Sequence, residues 1–334
     1  MRLVTPGRLL ALGAVLLAVA FALYVIPSNE YIFLPDKAHP VAPLVTVQGG
    51  HDPVHGGVYF VDVVVRKATI LEKLFGGLHK GADLYPASAV NPPGVNDQQL
   101  RRIDLQDMSH SQQVAAAVAL RAAGKHVVLR SIGAQIDEVA PGLPAVGKLE
   151  PDDVIVAING KRVQSKNDVF TAMSSHKIGD TVSFTVRRGK QTLVERMRTV
   201  SSGGKSPHAI VGVVVETAVD IHLPLHVSID AGGVGGPSAG LAFAIQVLAE
   251  LEPDVLHGHK IAATGEISLD GKVSPIGGIK QKTIGAREAG VDAFLVPAGQ
   301  NATDARKYAD GLRIIPVKSF QQALHELATL PLVR

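Results

Sequence analysis

Apolar and polar positions alternate in different rhythms along this 334-residue chain, and each rhythm predicts a different element. Residues 9–26 form an uncharged apolar run, just long enough as a helix to cross a bilayer. Residues 58–70 are dense in β-branched and aromatic side chains and predict strand. Residues 133–139, 154–158, 181–187 and 191–198 carry the alternation of half-buried strands, and Asn159-Gly160 is a two-residue hairpin signal. Helical spacing appears at 111–123, which is alanine-rich. It returns at 165–176, which opens on Ser165 with Asp168 three places on, and at 238–250 behind Pro237. A further helix is predicted over 276–290. The proline-rich stretch 81–95 reads as an irregular surface loop, and 201–207 as a linker.

Charge around the first apolar run sets an expected orientation. Arg2 and Arg8 precede it, whereas Glu30 and Asp36 follow, so the positive-inside rule leaves a short N-terminus in the cytoplasm and the rest outside the membrane. Ala18-Val19-Ala20 and Ala20-Phe21-Ala22 would suit signal-peptide cleavage, but apolar residues continue past both to Ile26. The expectation is an uncleaved anchor within residues 1–28. The chain has no cysteine, which fits an exported protein without disulfides but does not require one. A formal net charge of +3 with no basic-aromatic patch gives no case for nucleic acid. His51 and His55 are four apart, yet Pro53 between them argues against a helix presenting both to a metal, and no metal is expected. No segment fits Gly-x-x-x-x-Gly-Lys-Ser/Thr; in the nearest, Gly203-Gly204-Lys205-Ser206, Thr199 stands where the first glycine is needed. ATP is therefore not expected as a ligand.

Two short motifs carry candidate chemistry. Gly235-Gly236-Pro237-Ser238-Ala239-Gly240 places a serine where a glycine-rich loop enters a helix. Backbone N–H groups there are unpaired and the helix dipole is positive, which suits a developing oxyanion, although a serine simply capping its helix reads equally well from this stretch alone. About forty residues on, a helix over 276–290 puts Ile276, Ile279, Thr283, Ala286 and Ala289 on one mainly apolar face. Lys282 falls inside that arc, while Lys280 projects beside Arg287 on the polar side. Desolvation lowers a lysine pKa, and a neutral amine can take a serine proton; a lysine snorkelling out of the face is the alternative.

The runs Gly236-Pro237-Ser238-Ala239-Gly240, Thr264-Gly265-Glu266-Ile267-Ser268-Leu269-Asp270-Gly271 and Val273-Ser274-Pro275-Ile276-Gly277-Gly278-Ile279-Lys280-Gln281-Lys282 together resemble the proteolytic domain of Lon proteases. The likeness continues through Ala289-Gly290-Val291 and Leu295-Val296-Pro297 and covers about residues 210–330. It implies Ser238 as nucleophile, Lys282 as general base, Thr264 as a hydrogen-bonding orienter, and Pro237 and Gly236 as supporting residues. His222 and His226 would help shape the cleft. One departure stands out: the family often has an acidic residue where this chain has Gly235. A lone proteolytic domain implies ATP-independent cleavage of flexible protein segments without a cofactor, and the family implies a homo-oligomeric ring.

Residues 127–200 resemble a PDZ domain of the bacterial protease-associated kind. That resemblance implies binding of an extended peptide or C-terminus, with Ile132, Gly133, Ala134 and Gln135 as carboxylate cradle and Val169 and Met173 lining the groove. The strand and helix within 40–125 resemble the opening half of a Lon-type domain, so the PDZ unit would be an insert between 40–125 and 207–334. The expected fold is an α/β (α+β) Lon-type proteolytic domain, a β-rich PDZ domain and one N-terminal transmembrane helix. The expected function is a membrane-anchored, extracytoplasmic Ser-Lys endopeptidase acting on protein substrates; a catalytically idle PDZ scaffold is the alternative.

Overall fold

The β-rich run at 58–70 does not fold as one strand. Gly57–Phe60 enters a five-stranded sheet in the order His39–Pro40, Gly57–Phe60, Lys260–Ala263, Ala293–Pro297, Arg313–Val317. Val63–Thr69 pairs instead with Pro27–Pro35 in a separate three-stranded sheet completed by Asp83–Pro86. Val58 and Phe60 are buried whereas Val64 and Val65 are exposed, so the two halves serve different surfaces. Asp62 lies at the crossover. Asp83–Pro86 and the short helix Ala87–Val90 also give regular structure to part of the expected proline-rich loop.

The computed structural model describes residues 6–51, 53, 55–91 and 95–333. It divides into two units, Met1–His126 with Leu223–Arg334, and Val127–His222. In the first, helix and strand alternate from Ile279 onward, and the strands Gly57–Phe60, Lys260–Ala263, Ala293–Pro297 and Arg313–Val317 run parallel. Parallel strands need crossover connections, and helices covering both faces explain why every residue of Ala293–Pro297 is buried. Gly240–Leu251 is apolar nearly all round, with Leu241, Phe243 and Ile245 fully enclosed, as expected of a helix with no solvent face. It packs against Asp97–Ala122, a helix much longer than the 111–123 expected. Its first turns are polar and so lack periodicity, but Asn96 and Gln99 form a reciprocal capping box that starts it.

Pro6–Val25 is helical, with Leu10, Leu17 and Phe21 exposed. Among the described residues no helix is long and apolar enough to cross a membrane. The expected span 9–26 begins at Leu9, whose side chain lies outside the described set.

The second unit is a sheet ordered Gln191–Arg198, Thr181–Arg188, Val154–Ile158, Val128–Val139, Val213–His222, with the helix Lys166–Ser174. Asn159 and Gly160 both have positive φ, 48° and 74°, the geometry of the two-residue turn into Lys161–Arg162. The expected boundary at residue 200 is corrected to His222. Val213–His222 pairs antiparallel along Val128–Val139, so a strand assigned from sequence to the peptidase closes the insert.

Candidate active site

Ser238 sits in the 3₁₀ turn Pro237–Ala239 that runs directly into Gly240–Leu251. Gly236, just before it, has φ of +84°, a left-handed conformation that glycine adopts without a Cβ penalty. The Ser238 carbonyl accepts the Gly265 N–H at 2.8 Å and the Thr264 hydroxyl at 3.1 Å. The Ser238 backbone is thereby stitched to the end of the strand Lys260–Ala263.

Lys282 lies on Ile279–Glu288, is 4% exposed, and places Nζ 2.5 Å from Ser238 Oγ and 3.3 Å from Thr264 Oγ1. Burial lowers its pKa to about 8, with the nearby Asp62 carboxylate acting in the opposite direction. An amine so depressed is neutral in a useful fraction near physiological pH and can accept a hydroxyl proton at this distance. Lys280 has gone elsewhere: its Nζ is 2.7 Å from Asp83 Oδ1 and 5.6 Å from the centre of the Tyr308 ring. The two lysines of one triplet are thus sorted by helix face.

Around the pair lies a cleft of about 840 Å³, walled by apolar groups including Phe33, Phe60, Val64, Met108, Val234 and Ile276. Asp62 and Asp104 also line it, and neither stood out in the sequence. Burial raises the carboxyl pKa of both; neighbouring Asp36 adds to the effect at Asp62, and Arg101 opposes it at Asp104. The Gly235 departure has a steric reason, because a Cβ there would lie 2.7 Å from the Cβ of Asp104.

Among the described residues, Asp36, His39 and Asp62 form a potential metal-donor set, with atoms within 4.8 Å of one another. His39 Nε2 lies between the two carboxylates, 3.5 Å from Asp36 Oδ2 and 3.6 Å from Asp62 Oδ1. His222 belongs to the second unit, 3.1 Å from Asp220, and the His226 N–H donates to Gln48 Oε1 at 3.2 Å. Neither is among the residues lining the cleft. The His51/His55 motif falls partly outside the described residues.

In the second unit a groove of about 540 Å³ runs between the helix Lys166–Ser174 and residues 209–215. Val169 and Met173 line it, with Phe170, Val211 and Val213. The expected cradle is corrected. Ile132, Gly133, Ala134 and Gln135 lie within Val128–Val139, an interior strand; Ala134 and Gln135 pair with Thr217 and Glu216 on one side and with Ile155 and Val154 on the other. A strand paired on both sides has no edge to offer a peptide, whereas Val213–His222 is an edge strand beside the groove. The apolar run Ile210-Val211-Gly212-Val213-Val214 was the available signal for it.

Residues 195–329 match the Lon protease (S16) C-terminal proteolytic domain, and residues 100–195 match the PDZ domain. Neither match follows the fold boundaries, since one begins inside Gln191–Arg198 and the other inside Asp97–Ala122. Lon protease 2 of Bacillus subtilis is 36% identical over 108 residues, 32% of this chain and 19% of that protein. Lon protease 2 of Thermus thermophilus is 29% identical over 237 residues, 64% of this chain and 29% of that protein. The Lon protease of Mesomycoplasma hyopneumoniae is 38% identical over 103 residues, 29% of this chain and 12% of that protein. The chain thus spans less than a third of the length of these curated relatives. Among solved structures, the PDZ domain of an SdrC-like protein from Listeria monocytogenes is similar at 23% identity over 25% of this chain and 87% of that one, with a TM-score of 0.24.

Proposed function

Starting from a Lon-type serine-peptidase domain joined to a PDZ domain, we propose that this protein is a membrane-anchored endopeptidase that cleaves flexible protein segments without ATP. The observation that carries the reading is the buried Lys282 amine 2.5 Å from Ser238 Oγ at a helix start. Neutral Lys282 takes the Ser238 proton as Oγ attacks the scissile carbonyl. Backbone N–H groups following Pro237 stabilise the oxyanion, and the lysine ammonium returns the proton to the leaving amine. Lys282 then deprotonates a water that attacks the acyl-enzyme, and the amine is regenerated through Ser238. Buried Thr264, its Oγ1 3.3 Å from Nζ, orients the lysine.

The apolar cleft walls favour substrates that present apolar side chains around the scissile bond. A folded protein hides such segments, so flexible or unfolded chains are the substrate class. No phosphate-binding loop motif occurs within these 334 residues, so hydrolysis by these residues themselves is proposed to need no ATP. Anchoring through residues 9–26, with the peptidase outside the cytoplasm, rests on the apolar, exposed helix and the flanking charges. The PDZ groove takes an extended peptide along Val213–His222 and supplies recruitment or control. Ring assembly rests on family resemblance.

The full chain is tested on a fluorogenic unfolded protein without ATP, beside Ser238→Ala and Lys282→Ala. Turnover by the wild type alone supports the reading. Peptide binding without turnover by any of the three replaces it with the scaffold.

A further inference from the structure

The helix Asp97–Ala122 touches the nucleophile loop at successive turns. The Arg101 guanidinium donates to the Gly233 carbonyl. The Asp104 carbonyl accepts the Gly236 N–H at 2.7 Å, and the Ser111 hydroxyl donates to the Pro237 carbonyl at 3.0 Å. Buried Met108 lies between them on the cleft wall. Positions 101, 104, 108 and 111 are spaced by three and four residues, so they form one stripe along the helix. The glycines of the loop match that stripe in shape. A Cβ on Gly235 would meet the Asp104 Cβ at 2.7 Å, and one on Gly240 would meet Ser111 Oγ at 2.6 Å.

We propose that this stripe is a positioning clamp, in which Arg101, Asp104 and Ser111 hold residues 233–237 so that Ser238 and the N–H groups after it stay aligned on the scissile carbonyl. The inference rests on the Ser238–Lys282 reading of the site. A segment containing Gly232, Gly233, Gly235 and Gly236 has little stiffness of its own, while oxyanion stabilisation requires donors fixed before the charge develops. The helix supplies that order by holding three loop carbonyl or N–H groups from one rigid face. Arg101 is exposed in the cleft wall, so its bond to Gly233 is not a way of satisfying a buried charge. The Arg101 and Ser111 side chains and the Asp104 carbonyl all bond to loop backbone, not to the reacting Oγ or Nζ, so they act through the loop.

The test uses the full chain and two independent readouts. The first is amide exchange of the 231–240 segment by mass spectrometry, read without substrate. The second is kcat, KM and the affinity of a peptide boronate, which forms a tetrahedral adduct on the serine. Arg101→Ala is expected to speed exchange of the segment and to lower kcat and boronate affinity together by about tenfold, with KM unchanged. Gly235→Ala is expected to lower kcat by roughly a hundredfold through displacement of the loop. Adding Asp104→Gly, which keeps the backbone bond to Gly236 but removes the obstructing Cβ, recovers about tenfold or more of that loss. A thermal melt on each variant separates loop displacement from unfolding. Unchanged exchange in Arg101→Ala, or a double variant no better than Gly235→Ala, overturns the clamp. If the wild type hydrolyses nothing, the site reading fails, while the exchange result still decides whether the helix restrains the loop.

Discussion

The cleft at Ser238 and the groove beside Val213–His222 are both concave and largely apolar, but they differ in what they bury. The cleft encloses an amine within reach of a hydroxyl, and a half-buried carboxylate, Asp62, faces it electrostatically. Most of the groove wall is aliphatic or aromatic, with the edge of a sheet along one side. Burying an ionisable amine costs stability, whereas lining a groove with Val169, Phe170 and Met173 does not. A site that only binds has no use for the first arrangement. The difference supports the proposed division, with chemistry in one unit and recognition in the other.

The largest expected effect breaks that comparison if it goes the wrong way. Ser238→Ala and Lys282→Ala each lower turnover by roughly 10⁴-fold or more, because either half of the pair is useless alone. The affinity of a fluorescent C-terminal peptide for the second unit, followed by polarisation, stays as in the wild type. Parallel loss of both would mean that one site serves both tasks.

The pH profile sharpens the assignment of Lys282. Its pKa is lowered to about 8, and only the neutral form can act as base, so kcat/KM rises by about tenfold per pH unit below 8 and levels off above it. A rate that falls as pH rises through 8 excludes the amine as base.

The cost of the buried amine is measurable in stability. Between about 8 and its ordinary value of 10.5 the folded state binds fewer protons at Lys282 than the unfolded state, so stability rises with pH across that window. Below pH 8 the full penalty is present. Lys282→Met is therefore expected to stabilise the first unit by about 1–3 kcal/mol at pH 7, and by little near pH 10.5, as read by chemical denaturation. No gain at pH 7 would place the lysine in a solvated environment.

The smallest effects test the groove. Phe170, 61% exposed on the helix that borders it, is expected to contribute about fivefold to peptide affinity when compared with Phe170→Ala. Gln135→Ala leaves affinity unchanged, although it removes the 2.7 Å bond to Asp152. The reverse ranking would restore the cradle to residues 132–135.

What the sequence determined by itself was local. Helical periodicity separated Lys282 from Lys280, because one helix turn decides which face a side chain joins. The glycines and Pro237 marked the turn at Ser238, and Asn159-Gly160 marked its hairpin, since their backbone preferences act within a few residues. Tertiary structure alone decided what covers each face. It paired Val213–His222 with a strand some eighty residues earlier, which extended the insert and turned residues 132–135 from a presumed binding loop into an interior strand. It split the β-rich run at Asp62, and brought Asp104 against Gly235 across 130 residues of chain. Hydrophobic alternation records that a face is buried, but strand pairing and helix contact join segments whose separation leaves no periodic trace.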